Sequence, residues 1–128
     1  MKISSSQKNV SIGAQQLFES LSKAEDFKKL MPKNLTKFEV IDDDQFVFVI
    51  QGMPEIALKI EERIPHSKIV LKAGGGKIPF QLTGHIKEED SNSCSVYLEF
   101  EGSFNPMMAM MVKKPITAFV ETLVSNID

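Results

Sequence analysis

The sequence predicts an α+β fold: a curved antiparallel sheet of six to seven strands against one long C-terminal helix, with two short helices between the first and second strands. Three observations carry this. From Leu35 to Phe104, apolar and polar residues alternate with period two, in runs broken by turn-forming residues. After Asn105-Pro106 the period becomes helical and holds to about Asn126. Before Pro32 lie two short stretches with apolar residues at helical spacing.

The elements follow in order. Lys2 to Val10 is polar but suits an edge strand. Ser11 to Leu21 reads as a helix, with Ser11 as N-cap and Ala14, Leu17, Phe18 and Leu21 on one face. Ala24 to Met31 is a second short helix, ended by Pro32. Leu35 to Ile41 is a strand, and Asp42-Asp43-Asp44 turns the chain. Phe46 to Ile50 is apolar on both faces, so either Phe46 and Phe48 or Val47 and Val49 point inward. Gly52-Met53-Pro54 breaks that strand. Ile56, Leu58, Ile60 and Ile64 then share a face, opposite Glu55, Lys59, Glu61 and Arg63. Pro65-His66-Ser67 is a turn, Lys68 to Ala73 a strand and Gly74-Gly75-Gly76 a loop. Phe80, Leu82, Gly84 and Ile86 face inward on the next strand. Cys94, Val96, Leu98, Phe100, Gly102 and Phe104 do so on the last. Asn105 suits a helix N-cap and Pro106 the first helical position. The helix that follows is roughly 32 Å long, enough to cross a sheet and cover its apolar face.

Composition narrows the function. The 128 residues (1–128) fit a single domain, and 42% hydrophobic with 25% charged residues is ordinary for a globular chain. Fifteen Lys plus Arg against 17 Asp plus Glu give a net charge of −2, which argues against nucleic acid as the partner. One cysteine, Cys94, excludes an intramolecular disulfide. With only His66 and His85 beside it, no metal site and no cofactor are expected. The N-terminus has no apolar signal region, and the longest apolar run, Met107 to Val112, is far short of the ~20 residues that span a bilayer. No stable membrane insertion is expected, and a free cysteine fits the reducing cytoplasm.

Taken together, the edge strand leading into Val10-Ser11-Ile12-Gly13-Ala14-Gln15-Gln16-Leu17-Phe18-Glu19-Ser20-Leu21-Ser22, the Phe27 to Pro32 segment, the strand meander and the long C-terminal helix resemble the START-like helix-grip superfamily. That superfamily (SRPBCC) includes lipid-transfer domains, polyketide cyclases and the birch-pollen-allergen group. The resemblance implies a curved sheet gripping the terminal helix, with a cavity between them for an apolar or amphipathic small molecule. Some members are enzymes, and many only bind or carry. The allergen group has a glycine-rich loop early in the meander, whereas here Gly74 to Gly76 lie late and the loops are short. Both departures argue against a large, open pocket.

Alternation selects the residues that would line such a pocket: Phe48, Leu58, Phe80, Leu82, Leu98, Phe100 and Phe104 from the sheet, with Met108, Met111 and Phe119 from the helix. A lining so rich in phenylalanine favours an apolar ligand. The competing reading is that these side chains fill the space themselves. Glu62 is in phase with Leu58 and Ile60, so it points inward unless a bulge intervenes, and it is the best candidate for a polar group inside. Gly74-Gly75-Gly76-Lys77 lacks the spacing and the following helix of a phosphate loop. No nucleophile, base and orienter come together from His66, His85 and Cys94, and no catalytic residue is assigned.

The helix carries an anomaly. Met108, Val112, Ile116, Phe119, Val120, Leu123 and Ile127 form its core stripe, while Met107, Met110 and Met111 lie off it towards the polar side. Four readings stand: a pocket lid, a homodimer or partner patch, a membrane contact beside Lys113 and Lys114, or simple cover by neighbouring loops. Pro115 predicts a kink near the middle. The leading functional reading is a non-catalytic binding or carrier domain for a hydrophobic small molecule, lipid- or isoprenoid-like. The alternatives are a polyketide-cyclase-type enzyme, which rests on Glu62, and an interaction module built on the methionines.

Overall fold

The computed structural model describes residues 1–51, 55–73 and 80–127. Among them, eight strands form one antiparallel sheet: β1 (Lys2–Ser4), β2 (Lys8–Val10), β3 (Leu35–Val40), β4 (Gln45–Ile50), β5 (Ile56–Ile64), β6 (Lys68–Ala73), β7 (Phe80–Asp90) and β8 (Ser93–Gly102). The spatial order is β1-β8-β7-β6-β5-β4-β3, with β2 also on β8. The expected six to seven strands become eight because the edge strand is broken. Ser5 donates its N–H to the Leu98 carbonyl and accepts the Leu98 N–H on its hydroxyl, both at 2.8 Å. A side chain thus stands in for a main-chain partner between β1 and β2, which both pair with β8.

Two short helices follow β2. The first, α1, spans Ala14–Ser20 and is capped at Gly13 rather than at Ser11. A Cβ at Gly13 would stand 2.7 Å from the Ser91 carbonyl oxygen. The close pass against the β7–β8 turn therefore fixes where the helix starts, and it requires glycine. The second segment, Ala24–Leu30, is a 3-10 helix. Met31 before Pro32 is extended, as the proline demands, and this ends the segment. Asp26 accepts the Lys23 N–H at 3.1 Å and closes its first turn.

β5 carries the main departure from simple alternation. Its pairing with β6 slips between Ile60 and Glu62, a β-bulge. Paired residues share a face, so Glu62, opposite Val70, turns to the outer face and is exposed. Glu62 is therefore not a polar group of the interior. The same slip puts Arg63 opposite Ile69, on the inner side at the strand's end. Its guanidinium donates to the Ser22 carbonyl at 2.7 and 2.9 Å and to Asp44 Oδ1 at 2.6 Å. It ties the link between the two short helices to the β3–β4 turn.

The terminal helix α2 spans Pro106–Ser125 and runs on through Pro115. Asn105 caps it, accepting the Met108 N–H at 2.8 Å, as the sequence predicts. Its second half is buried and tied down. Ile116, Phe119, Val120, Leu123 and Val124 pack inward. Glu121 accepts the Ser6 N–H and hydroxyl at 2.7 and 2.8 Å, Lys8 donates to the Ser125 and Ile127 carbonyls, and Asn126 donates to the Leu30 carbonyl at 2.9 Å. In the first half, Met107, Met110 and Met111 are exposed. Met111 faces solvent, so it does not line the interior.

Candidate functional site

The inner face of the sheet and the buried half of α2 enclose an interior that the short helices close from one side. On β4 the phase is settled by burial: Phe46, Phe48 and Ile50 point inward, and Val47 and Val49 lie half-exposed on the other face. Leu58, Leu82, Leu98, Phe100 and Phe119, chosen by alternation, are all buried. Phe80, Phe104 and Met108 are half-buried, Phe80 and Phe104 at the end of the sheet where α2 begins.

The phenylalanines meet one another. Phe48 stacks on Phe119 across the gap between sheet and helix, with ring centres 5.3 Å apart. Phe46 continues the stack at 5.9 Å and also faces Phe27 at 5.3 Å and Phe38 at 5.2 Å. A second group, Phe80, Phe100 and Phe104, has centres 5.4 and 6.1 Å apart. A Cβ at Gly102 would lie 2.7 Å from the Phe104 ring, so the missing side chain there is what lets that ring rest on β8.

Among the described residues, a void of about 20 Å³ lies between sheet and helices, lined by twelve residues without a polar side chain. That is room for about one water, against roughly 300–1,000 Å³ for a typical ligand pocket. Leu82 and Leu98 were expected in its wall. Leu21, Phe27 and Leu30, from the α1 end and the 3-10 helix, and Leu123 and Ile127, from the end of the chain, were not. The signal was the i, i+3 pair Phe27 and Leu30, whose apolar face needed the same cover. A wider hollow of about 400 Å³ opens on the surface near Phe80, but Lys72, Gln81, Glu101 and Ser103 in its lining suit a polar guest.

Glu62, His66, His85 and Cys94 are not among the residues that line the void. His85 stacks on Tyr97 at 4.6 Å, with its Nε2 3.8 Å from Glu99 Oε1, and it projects from β7 on the face opposite Leu82 and Ile86. His66 sits in its turn at φ 64° and meets the Phe18 ring edge-on at 5.8 Å. Among the described residues, no group of three His, Cys, Asp or Glu side chains is placed to hold a metal ion. The Gly74-Gly75-Gly76-Lys77 and Gly52-Met53-Pro54 segments lie outside the described residues. Cys94 is fully buried, and burial, helped by the nearby Glu89 charge, pushes its thiol pKa up. A buried, protonated thiol is a poor nucleophile. Labelling of native protein with a thiol reagent at pH 8 is therefore expected to be at least ~100-fold slower than in denaturant; equal rates would mean that Cys94 is open to solvent.

No family model matches the sequence, and no curated protein does. Solved structures match it along nearly the whole chain. A START superfamily protein from Mycobacterium smegmatis superposes with a TM-score of 0.69 at 12% identity, over 98% of this chain and 96% of its own. Norcoclaurine synthase from Thalictrum flavum, in complex with dopamine and hydroxybenzaldehyde, gives 0.72 at 16% identity, over 98% and 84%. A Thermus thermophilus protein gives 0.73 at 14%, over 99% and 94%. The chain has the START-like helix-grip fold, an antiparallel sheet closed on a long C-terminal helix.

Proposed function

We propose that the chain is a non-catalytic binding or carrier protein for a hydrophobic small molecule, lipid- or isoprenoid-like, taken up between the sheet and α2. The observation that carries this reading is the all-apolar wall of the interior void, in which twelve residues present no polar side chain. A wall of this kind holds a guest by burial of apolar area and gives it no acid, base or nucleophile. Glu62, on which the cyclase-type alternative rests, lies on the outer face. The fold is also one in which a neighbour, norcoclaurine synthase, is seen with dopamine and hydroxybenzaldehyde.

Uptake needs more room than about 20 Å³. The division of α2 suggests where it is made. The second half is held by contacts to Ser6, Lys8 and Leu30, whereas the first half follows directly on the half-buried Phe104 and carries the exposed Met107, Met110 and Met111. Outward movement of the first half, with rotation of Phe104, opens that end of the interior, and the void bounded by Leu82, Leu98 and Leu123 widens as the guest enters. The buried free thiol fits a cytoplasmic carrier.

The test is a titration with a polarity-sensitive fluorescent fatty acid, paired with native mass spectrometry of protein purified without denaturation. A saturable signal at micromolar protein, displaced by unlabelled lipid, is expected. A flat titration together with a clean apo mass overturns the reading.

A further inference from the structure

The solvent face of a helix is ordinarily polar. On α2 it is not. Met107, Met110 and Met111 are 73%, 83% and 71% exposed. At 100° per residue they fall with Lys114 in an arc of about 100°, diametrically opposite Ile116 and Leu123 on the core side. No movement of the helix about its own axis within the fold brings both faces inward together. These methionines therefore add nothing to the core, and their place on the outside calls for a partner.

Charge indicates which. Lys114 lies within the arc and Lys113 on its flank, both exposed, and the one carboxylate on the same arc, Glu121, lies two turns further on and is engaged by Ser6. A two-fold pairing of this face with a second copy would bring four lysines into one interface, a like-charge conflict. An anionic lipid surface removes the conflict: the thioether side chains enter the acyl boundary and the ammonium groups meet the headgroups. Methionine is flexible and suits a surface without fixed shape. We propose that the first half of α2 docks flat on an anionic membrane surface through Met107, Met110, Met111, Lys113 and Lys114. The contact is peripheral, since no helix among the described residues is long and apolar enough to cross a membrane.

The test uses the full chain and flotation with vesicles, either pure phosphatidylcholine or phosphatidylcholine with about 30% phosphatidylglycerol. Binding to the anionic vesicles alone is expected, weakening as salt rises. The triple variant M107Q/M110Q/M111Q, at exposed positions and with a good helix former, should keep its melting temperature and bind at least ~100-fold more weakly. K113Q/K114Q should lose roughly 10–30-fold. Absence of the wild type from anionic vesicles overturns the proposal, as does equal binding to pure phosphatidylcholine. So does a concentration-dependent dimer in sedimentation velocity that the methionine variant abolishes, which would make the partner a second copy. The proposal is independent of uptake: a chain that binds the fatty-acid probe and ignores vesicles keeps the carrier reading and loses this one.

Discussion

Phe46→Ala is expected to lower the unfolding free energy by about 3–5 kcal/mol. For a chain of this size that is a fall in melting temperature of roughly 10–20 °C. Phe46 is 0% exposed, and its ring lies against three others, Phe27, Phe38 and Phe48. Each belongs to a different element or a different position on the same strand, so one ring joins the 3-10 helix, β3 and β4. Alanine removes the transfer energy of the ring, and the surrounding rings cannot close on the gap without leaving their stacked geometry. Phe46→Leu should cost less, about 1–2 kcal/mol, since most of the volume is kept. Met110→Ala is the control: an exposed site with no core contact should stay within about 0.5 kcal/mol. Urea denaturation followed by far-ultraviolet circular dichroism measures all three. A loss below about 1 kcal/mol for Phe46→Ala would mean that the stack contributes little and that the sheet is held elsewhere.

Much of this was legible in the sequence, and the boundary of legibility is physical. The strands of the meander were readable because a period of two is a local property, repeated in each strand. That Met107, Met110 and Met111 lie off the core stripe was readable for the same reason on a helical period, whereas their exposure to solvent was not, since a lid or neighbouring loops could have covered them. What failed depended on pairing across the chain. Glu62 was in phase with Leu58 and Ile60, and only the slip against β6 turns it outward. Ser11 has the chemistry of an N-cap, but the contact of Gly13 with Ser91, far along the chain, starts the helix later. Ser5 does not look like a break in a strand until its hydroxyl meets Leu98. The interior follows the same division. Its apolar character was plain from Phe48, Leu82, Leu98 and Phe119. Its volume was not, because it depends on the distance between sheet and helix and on the rotamers of the rings between them.

That volume is what a Phe27→Ala variant changes. Phe27 lines the void and stacks on Phe46, so truncating it joins the space of its ring to the existing about 20 Å³. The product is an apolar cavity of roughly 100 Å³, which stays dry and accepts a small aromatic guest. The loss of stability should be about 3–5 kcal/mol. Part of it returns on binding: a benzene-sized ligand at a hundred times its Kd restores about 2.7 kcal/mol, which reads as a clear rise in melting temperature. A rigid guest of that size should stabilise the variant and leave the wild type unmoved, because in the wild type the ring occupies the place. An equal rise in both would mean that room is made by moving α2 and not by removing a ring, the route by which a lipid-sized molecule would have to enter. A loss of stability with no recovery would mean that the sheet and the 3-10 helix collapse onto the gap, and the close packing seen around Phe46 would then be the preferred state of this interior whatever is offered to it.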